Sequence, residues 1–262
     1  MSTIIALFAL FAVLPPVVPT LVPPLAPAGF AAAGSPGVPS FAERAEDLGV
    51  PGGAVAYIDD GAVTRTEVFG ETATVGPSTR RRGDAATPML WGSVSKPVAA
   101  AVVKHLAGEG ALDPAAPADA YVPGAPNVPV SGLLDHASGL GFEAGRLDVD
   151  RPDATAMDVV DEMSGETGES GATGEHRYSS LGYLHLQAVV EAATGGAYRD
   201  AVRATPGLRD VGASAADCAD VPRGHRLAGP FAWPMTTGYD GAGAAYGYSC
   251  GSIGELADFA VS

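Results

Sequence analysis

The stretch Trp91-Gly92-Ser93-Val94-Ser95-Lys96-Pro97-Val98-Ala99-Ala100, continued by Ala101-Val102-Val103-Lys104-His105-Leu106, constrains this chain more than any other. It reads as one helix, apolar on enough of its surface to need burial. Ser93 and Lys96 stand at its start, three residues apart, so their side chains can meet on one face. A serine hydroxyl is a poor nucleophile near neutral pH unless a base lies within reach, and a desolvated lysine can serve as that base. Unpaired N–H groups at the helix start favour a developing oxyanion. Pro97 falls in the first turn, where an N–H has no intrahelical partner to lose. Lys96 and Lys104 are the only lysines of the sequence. The plainer alternative is a helix cap with a lysine whose stem lies along the apolar surface.

Composition narrows the function. The 262 residues carry a formal net charge of −15, and 47% are hydrophobic. That is enough for one sizeable core or two small lobes. The acidity excludes a nucleic-acid partner, which needs clustered Lys and Arg. Arg80-Arg81-Arg82 is short and isolated and reads as a solvated loop. Cys218 and Cys250 permit one disulfide without establishing it. No Cys/His spacing resembles a metal site.

Ile4 to Val13 is an apolar run too short to span a bilayer. A Pro/Ala-rich stretch follows, with Ala31-Ala32-Ala33 offering small residues for cleavage. Residues 1–33 are therefore expected to be a signal peptide or an N-terminal apolar segment able to associate with a membrane, although no Lys or Arg precedes Arg44. The expected location is secreted or in the cell envelope. Residues 34–262 form the folded domain.

Ser40 with Glu43 makes a capping box on a short helix. Gly53 to Ile58 and Ala62 to Phe69, joined at Asp59-Asp60-Gly61, predict a hairpin. Gly70 to Thr87 reads as loop. Ser131 to Leu140 reads as a stretch that starts as a short helix and ends in a Gly turn, Ala156 to Met163 predicts another short helix, and Glu166 to Glu175 a surface loop. Arg177 to Tyr183 leads into a second long apolar helix that stops at Gly195-Gly196. Pro206 to Gly243 has little periodicity. Ser252 and Glu255 form a capping box on a last helix.

Four ordered motifs now stand together: Gly92-Ser93-Val94-Ser95-Lys96-Pro97, Leu133-Leu134-Asp135-His136-Ala137-Ser138-Gly139-Leu140, Tyr178-Ser179-Ser180-Leu181-Gly182-Tyr183, and Gly251-Ser252-Ile253-Gly254-Glu255-Leu256-Ala257. From Phe41 to the last residue the chain resembles the serine β-lactamase-related family, the branch with class C β-lactamases, D-Ala-D-Ala carboxypeptidases and related esterases. The resemblance implies an α/β (α+β) fold of the β-lactamase/transpeptidase type, a helical lobe plus a small antiparallel sheet. It implies a serine hydrolase that forms an acyl-enzyme on an amide, ester or β-lactam-like donor, a small molecule or peptidoglycan-like group, with no metal and no cofactor.

Residue by residue, the resemblance makes Ser93 the acylated nucleophile and Lys96 a member of its proton network. It makes Tyr178 the general base and then the acid to the leaving group, a role that requires the lysine to lower the phenol's affinity for its proton. The Ser93 N–H would supply one oxyanion donor. His136 lies in a stretch that is structural in the family. Ser180 is the substrate-binding position, and it stands where the family usually has asparagine. Its hydroxyl is shorter than an amide, which argues against β-lactam binding of the usual kind.

The family also has a Lys/His-Thr/Ser-Gly strand that should follow the Gly251 to Ala260 helix, and the sequence stops at Ser262. Thr236-Thr237-Gly238 precedes that helix and has no basic residue before it. The expectation is a C-terminally truncated member whose sheet lacks its C-terminal strands, leaving the hairpin marginal by itself. Two other functions compete. A truncated pseudoenzyme or envelope binding module would keep the fold without the chemistry. An α/β-hydrolase is suggested by Gly247-Tyr248-Ser249-Cys250-Gly251, but that fold needs a histidine after the nucleophile and the last one is His225.

Overall fold

A computed structural model describes residues 3–7, 40–50, 52–73, 80–141, 151–163, 174–222, 224–228, 231–234 and 238–262. The chain divides into two compact units, one of Met1–Ala85 with Pro222–Thr236, the other of Ala86–Val221 with Thr237–Ser262.

The first unit is built on a hairpin. Strand β2 (Gly52–Asp59) pairs antiparallel with β3 (Ala62–Ala73) across a tight turn. Asp60 and Gly61 take φ of 47° and 75° there. Two successive positive φ values match the twist of the flanking strands, and an Asp-Gly pair tolerates them. Val55 and Ala56, adjacent on β2 and so on opposite faces, are both fully buried. Helix α1 (Phe41–Asp47) starts on the predicted capping box: Ser40 Oγ accepts from the Glu43 N–H at 3.2 Å, and Glu43 Oε2 accepts from the Ser40 N–H at 2.6 Å. Phe41 packs against Phe69 of β3 with ring centroids 6.2 Å apart.

Three features of this unit were not read from the sequence. Thr3–Leu7 forms strand β1 on the free edge of β2. A short apolar run can satisfy a sheet edge as readily as it can serve as the core of a leader. The β2 edge of the hairpin is thus paired along Ala54–Ile58. Arg80–Arg82, expected in a loop, is strand β4 against the far end of β3, because the partner backbone decides pairing in an edge strand. His225–Ala228 (β6) and Phe231–Pro234 (β7) form a further hairpin inside the stretch that showed no periodicity.

The second unit is mainly helical. Helix α2 (Ser95–Gly108) buries Val98, Ala99, Val102 and Val103, with a single 3₁₀ turn (Gly92–Val94) in front of it. Pro97 is its third residue, within the turn whose N–H groups lack intrahelical acceptors. Short helices α3 (Val130–Leu134) and α4 (Ala156–Met163) fall where expected. Helix α5 (Ser180–Thr194) is buried continuously from Ser180 to Val190 and ends at Gly195 in the left-handed conformation, φ 65°. A helix covered on all sides is the middle of its unit.

Helix α6 (Tyr198–Ala204) was not apparent in the sequence and has no side-chain cap. Helix α7 (Ile253–Val261) begins on the predicted Ser252/Glu255 capping box. Strands β5 (Met89–Leu90) and β8 (Cys250–Gly251) pair just ahead of the Ser93 turn. Cys218 and Cys250 are joined in a disulfide. Among the described residues no helix is long and apolar enough to cross a membrane. Residues 164–173, most of the predicted surface loop, and Thr236-Thr237 lie outside the described residues, as does the rest of the 1–33 segment.

Candidate active site

Ser93 is held by the strand pair in front of it. The Trp91 N–H donates to the Ser249 carbonyl at 2.9 Å, and the indole Nε1–H donates to the Gly251 carbonyl at 3.1 Å. Gly251 has no room for a side chain, since an added Cβ would lie 2.6 Å from the Trp91 ring. Gly92, at φ 54°, then turns the chain from strand into the 3₁₀ turn, a backbone conformation that glycine adopts without cost. Ser95 Oγ accepts from the Ser249 N–H at 3.1 Å and fixes the start of α2 to the residue just ahead of β8. These contacts put Ser93 and Lys96 in neighbouring turns, as their spacing predicts.

Lys96 is 4% exposed. Its Nζ donates to the Tyr246 carbonyl at 2.9 Å, and to Ser93 Oγ and Ser180 Oγ, both at 3.4 Å. An ammonium has three hydrogens, and three acceptors surround it. Burial nevertheless dominates and pulls the Lys96 pKa below its ordinary value, with the contacts to Tyr178 opposing that pull. Nζ also sits 4.7 Å from the centroid of the Tyr178 ring and 5.5 Å from that of Tyr183, within the range of cation–π attraction.

The Tyr178 phenol oxygen lies 2.8 Å from Ser93 Oγ, and the side chain is 41% exposed. Tyr178 enters from the segment leading into α5. Ser179 is the N-cap of that helix: its Oγ accepts from the Gly182 N–H at 3.0 Å and donates to the Gly141 carbonyl at 2.9 Å. His136, in the left-handed region at φ 56°, follows α3. Its Nδ1 accepts from the Ser179 N–H at 3.1 Å, so the ring proton of the neutral form is on Nε2. Its carbonyl accepts from the Arg177 N–H at 2.7 Å. The His136 ring lies 4.5 Å from that of Tyr178. Burial, then the Lys96 and His176 charges, push its pKa down. The neutral ring therefore backs the tyrosine, consistent with a structural place for His136.

The four residues singled out in the sequence, Ser93, Lys96, Tyr178 and Ser180, thus meet around one amine. The chemistry open to such a group is acyl transfer to Ser93 Oγ with a proton relay through Lys96 and Tyr178. Sequence reasoning missed the Tyr246 carbonyl, the closest acceptor of Lys96. It also missed Gln187 and Asp240, buried polar residues on either side of the segment that carries Tyr246. A backbone carbonyl has no sequence signature. Two polar residues within an apolar run were the available signal for Gln187 and, beside it, His185. Ser249, the serine of the Gly-x-Ser-x-Gly match, is fully buried and donates to the Ala244 carbonyl at 2.9 Å, a structural use of its hydroxyl.

The beta-lactamase family model matches residues 40–261, and the chain belongs to that family. A comparison with curated proteins found no match. Among solved structures, a penicillin-binding protein homologue from Pyrococcus abyssi is similar at TM-score 0.68 and 22% identity, over 84% of this chain and 53% of that one. A D-amino acid amidase from Ochrobactrum anthropi SV3 matches at TM-score 0.67 and 23% identity, over 83% of this chain and 66% of that one. A class C beta-lactamase matches at TM-score 0.66 and 19% identity, over 83% of this chain and 61% of that one. These likenesses establish the β-lactamase/transpeptidase-like fold. The chain spans about half the length of the archaeal homologue.

Proposed function

We propose that the chain is an extracytoplasmic serine hydrolase that works through an acyl-enzyme on Ser93. The observation that supports this most is Ser93 Oγ lying 2.8 Å from the Tyr178 phenol and 3.4 Å from Lys96 Nζ. In the reaction the Tyr178 oxygen takes the Ser93 Oγ proton and passes its own to Lys96 in its neutral amine form, which becomes the ammonium as Oγ bonds to the acyl carbon. The Ser93 N–H is one donor to the oxyanion. Tyr178 then protonates the leaving group as its bond to the acyl carbon breaks, and a water activated by the same pair hydrolyses the ester. A nearby ammonium stabilises the negative charge that moves across these oxygens.

The favoured donors are esters or simple amides. Ser180 offers one hydroxyl, and that hydroxyl already accepts from Lys96. The Ser180 side chain is shorter than an asparagine's and has one O–H where the amide has two N–H donors, which weakens any hold on an acylamino side chain of the β-lactam type.

An initial-rate comparison of p-nitrophenyl butyrate, nitrocefin and a D-Ala-D-Ala peptide tests the reading, with Ser93→Ala as control. Turnover of the ester above the peptide and nitrocefin, lost in Ser93→Ala, is expected. Turnover that survives Ser93→Ala would sink the assignment. No turnover or acylation of any donor would favour the binding-module alternative.

A further inference from the structure

Helix α5 contributes to the site twice. Ser180, at its first position, accepts from Lys96, and Gln187 follows seven residues later on the same face. Gln187 is 1% exposed, and both ends of its amide are used. Oε1 accepts from the Ala245 N–H at 3.0 Å, and Nε2 donates to the Gly241 carbonyl at 2.9 Å and to Glu191 Oε1 at 3.1 Å. Among uncharged side chains of this length, a primary amide alone can take an N–H and give to a carbonyl at once.

The segment so gripped is the one that serves Lys96. It runs through a 3₁₀ turn at Gly241–Gly243 into a single π turn at Ala244–Tyr248. The Tyr246 carbonyl, one residue beyond the N–H that Gln187 holds, is the closest acceptor of Lys96 Nζ. Asp240 steadies the start of the segment, accepting from the Ala242 N–H at 3.2 Å and from the Tyr246 hydroxyl at 2.9 Å. Ser249 closes its end on the Ala244 carbonyl. Between those two ties, Gln187 holds the segment from α5, while Lys96 and Ser95 of α2 bond to Tyr246 and Ser249 from the other helix.

We propose that Gln187 is a positioning residue for acylation: it clamps the 241–246 segment so that the Tyr246 carbonyl stays on Lys96 Nζ and the amine stays in line with Ser93. This rests on the reading of Ser93, Lys96 and Tyr178 as the acylating group. Gln187 touches none of the reacting atoms and acts through two backbone groups.

The test uses the fact that the chain has two lysines. Protein labelled with ¹³C at lysine Cε gives one resonance for Lys96 and one for Lys104, and the titration of each is read without any substrate. Gln187→Met keeps the length and removes all three hydrogen bonds; Gln187→Asn keeps the amide but withdraws it by one methylene. A carbonyl acceptor favours the ammonium form, so its release should lower the titration midpoint of Lys96 while Lys104 stays put. Tyr178, Tyr183 and His136 surround the amine in every variant and cancel in the comparison.

The acylation rate of Ser93 by p-nitrophenyl butyrate should fall about tenfold or more. Folded variants with a wild-type Lys96 midpoint and wild-type rate overturn the proposal. So does a lowered melting temperature with an unmoved midpoint, or failure of both variants to fold, since either marks Gln187 as plain core. If wild type is never acylated but the Lys96 midpoint still shifts, the functional reading fails and the clamp stands.

Discussion

Ser93 and Lys96 were legible because a helix converts a spacing of three into proximity, and because lysine is scarce in this chain. Tyr178 and Ser180 were legible only through the resemblance, since tyrosine and serine before a helix have ordinary structural uses. The Tyr246 carbonyl and Gln187 were not legible: which backbone group faces an amine depends on how a turn packs, and no local pattern records that. Tyr178 lends itself to a clean substitution because it is partly exposed. Tyr178→Phe removes one hydroxyl and keeps the ring against His136. Its urea midpoint should match wild type to within about 0.5 kcal/mol, as for other substitutions outside the core. Acylation of Ser93 should fall by about 10²–10⁴-fold, the usual contribution of a positioned acid or base. A rate within threefold of wild type would remove Tyr178 from the mechanism.

At the scale of elements, patterns with their own local chemistry were readable. The two capping boxes and the Asp-Gly hairpin each specify a structure from three or four residues. Ser252→Ala should destabilise α7, and with it the second unit, by about 1 kcal/mol in urea unfolding. An unchanged midpoint would mean that packing of Ile253, Leu256 and Ala257 sets the helix start by itself. Elements defined by a partner were not readable: β5 and β8 are two residues long, and Arg80–Arg82 became a strand only beside the end of β3.

Helix α5 carries a second buried polar residue, His185, whose Nδ1 has no hydrogen-bond partner. Burial pushes its pKa from 6.5 down to about 4. The folded state thus holds the proton less well than the unfolded chain. The contribution is whole above pH 6.5 and is lost as pH falls through 4, about 3 kcal/mol in all. His185→Leu should lose correspondingly less stability between pH 7 and pH 4 in urea titrations. Acid sensitivity equal to wild type would show that other groups govern it; His136, lowered in the same direction, is the first of these.

At the scale of the molecule, the resemblance from Phe41 onward and the family match over residues 40–261 coincide. Ordered motifs survive as markers of fold where overall identity to solved structures is near 20%. The placing of Thr3–Leu7 on the sheet edge was not foreseeable, because an apolar run before a Pro/Ala-rich stretch fits a leader equally well. Nor could pairing of the cysteines be deduced from their number. The bridge closes a sequence separation of 32 within the second unit. A loop of that size corresponds to about 4 kcal/mol of lost chain entropy in the unfolded state. The Cys218→Ser/Cys250→Ser double variant should be less stable by about 2–4 kcal/mol, read as a lower urea midpoint. An unaltered midpoint would mean that the unfolded chain gains nothing from losing the link.

The central claim is that a single hydroxyl is made reactive by the amine and phenol beside it. The direct measurement is intact-mass spectrometry of the protein mixed with p-nitrophenyl butyrate and quenched in acid over seconds to minutes, followed by peptide mapping. One butyryl group per chain, on the peptide holding Ser93 and absent from Ser93→Ala, is the predicted result. Acylation confined to lysines or to other serines, or no mass increase while the ester is consumed, would contradict it.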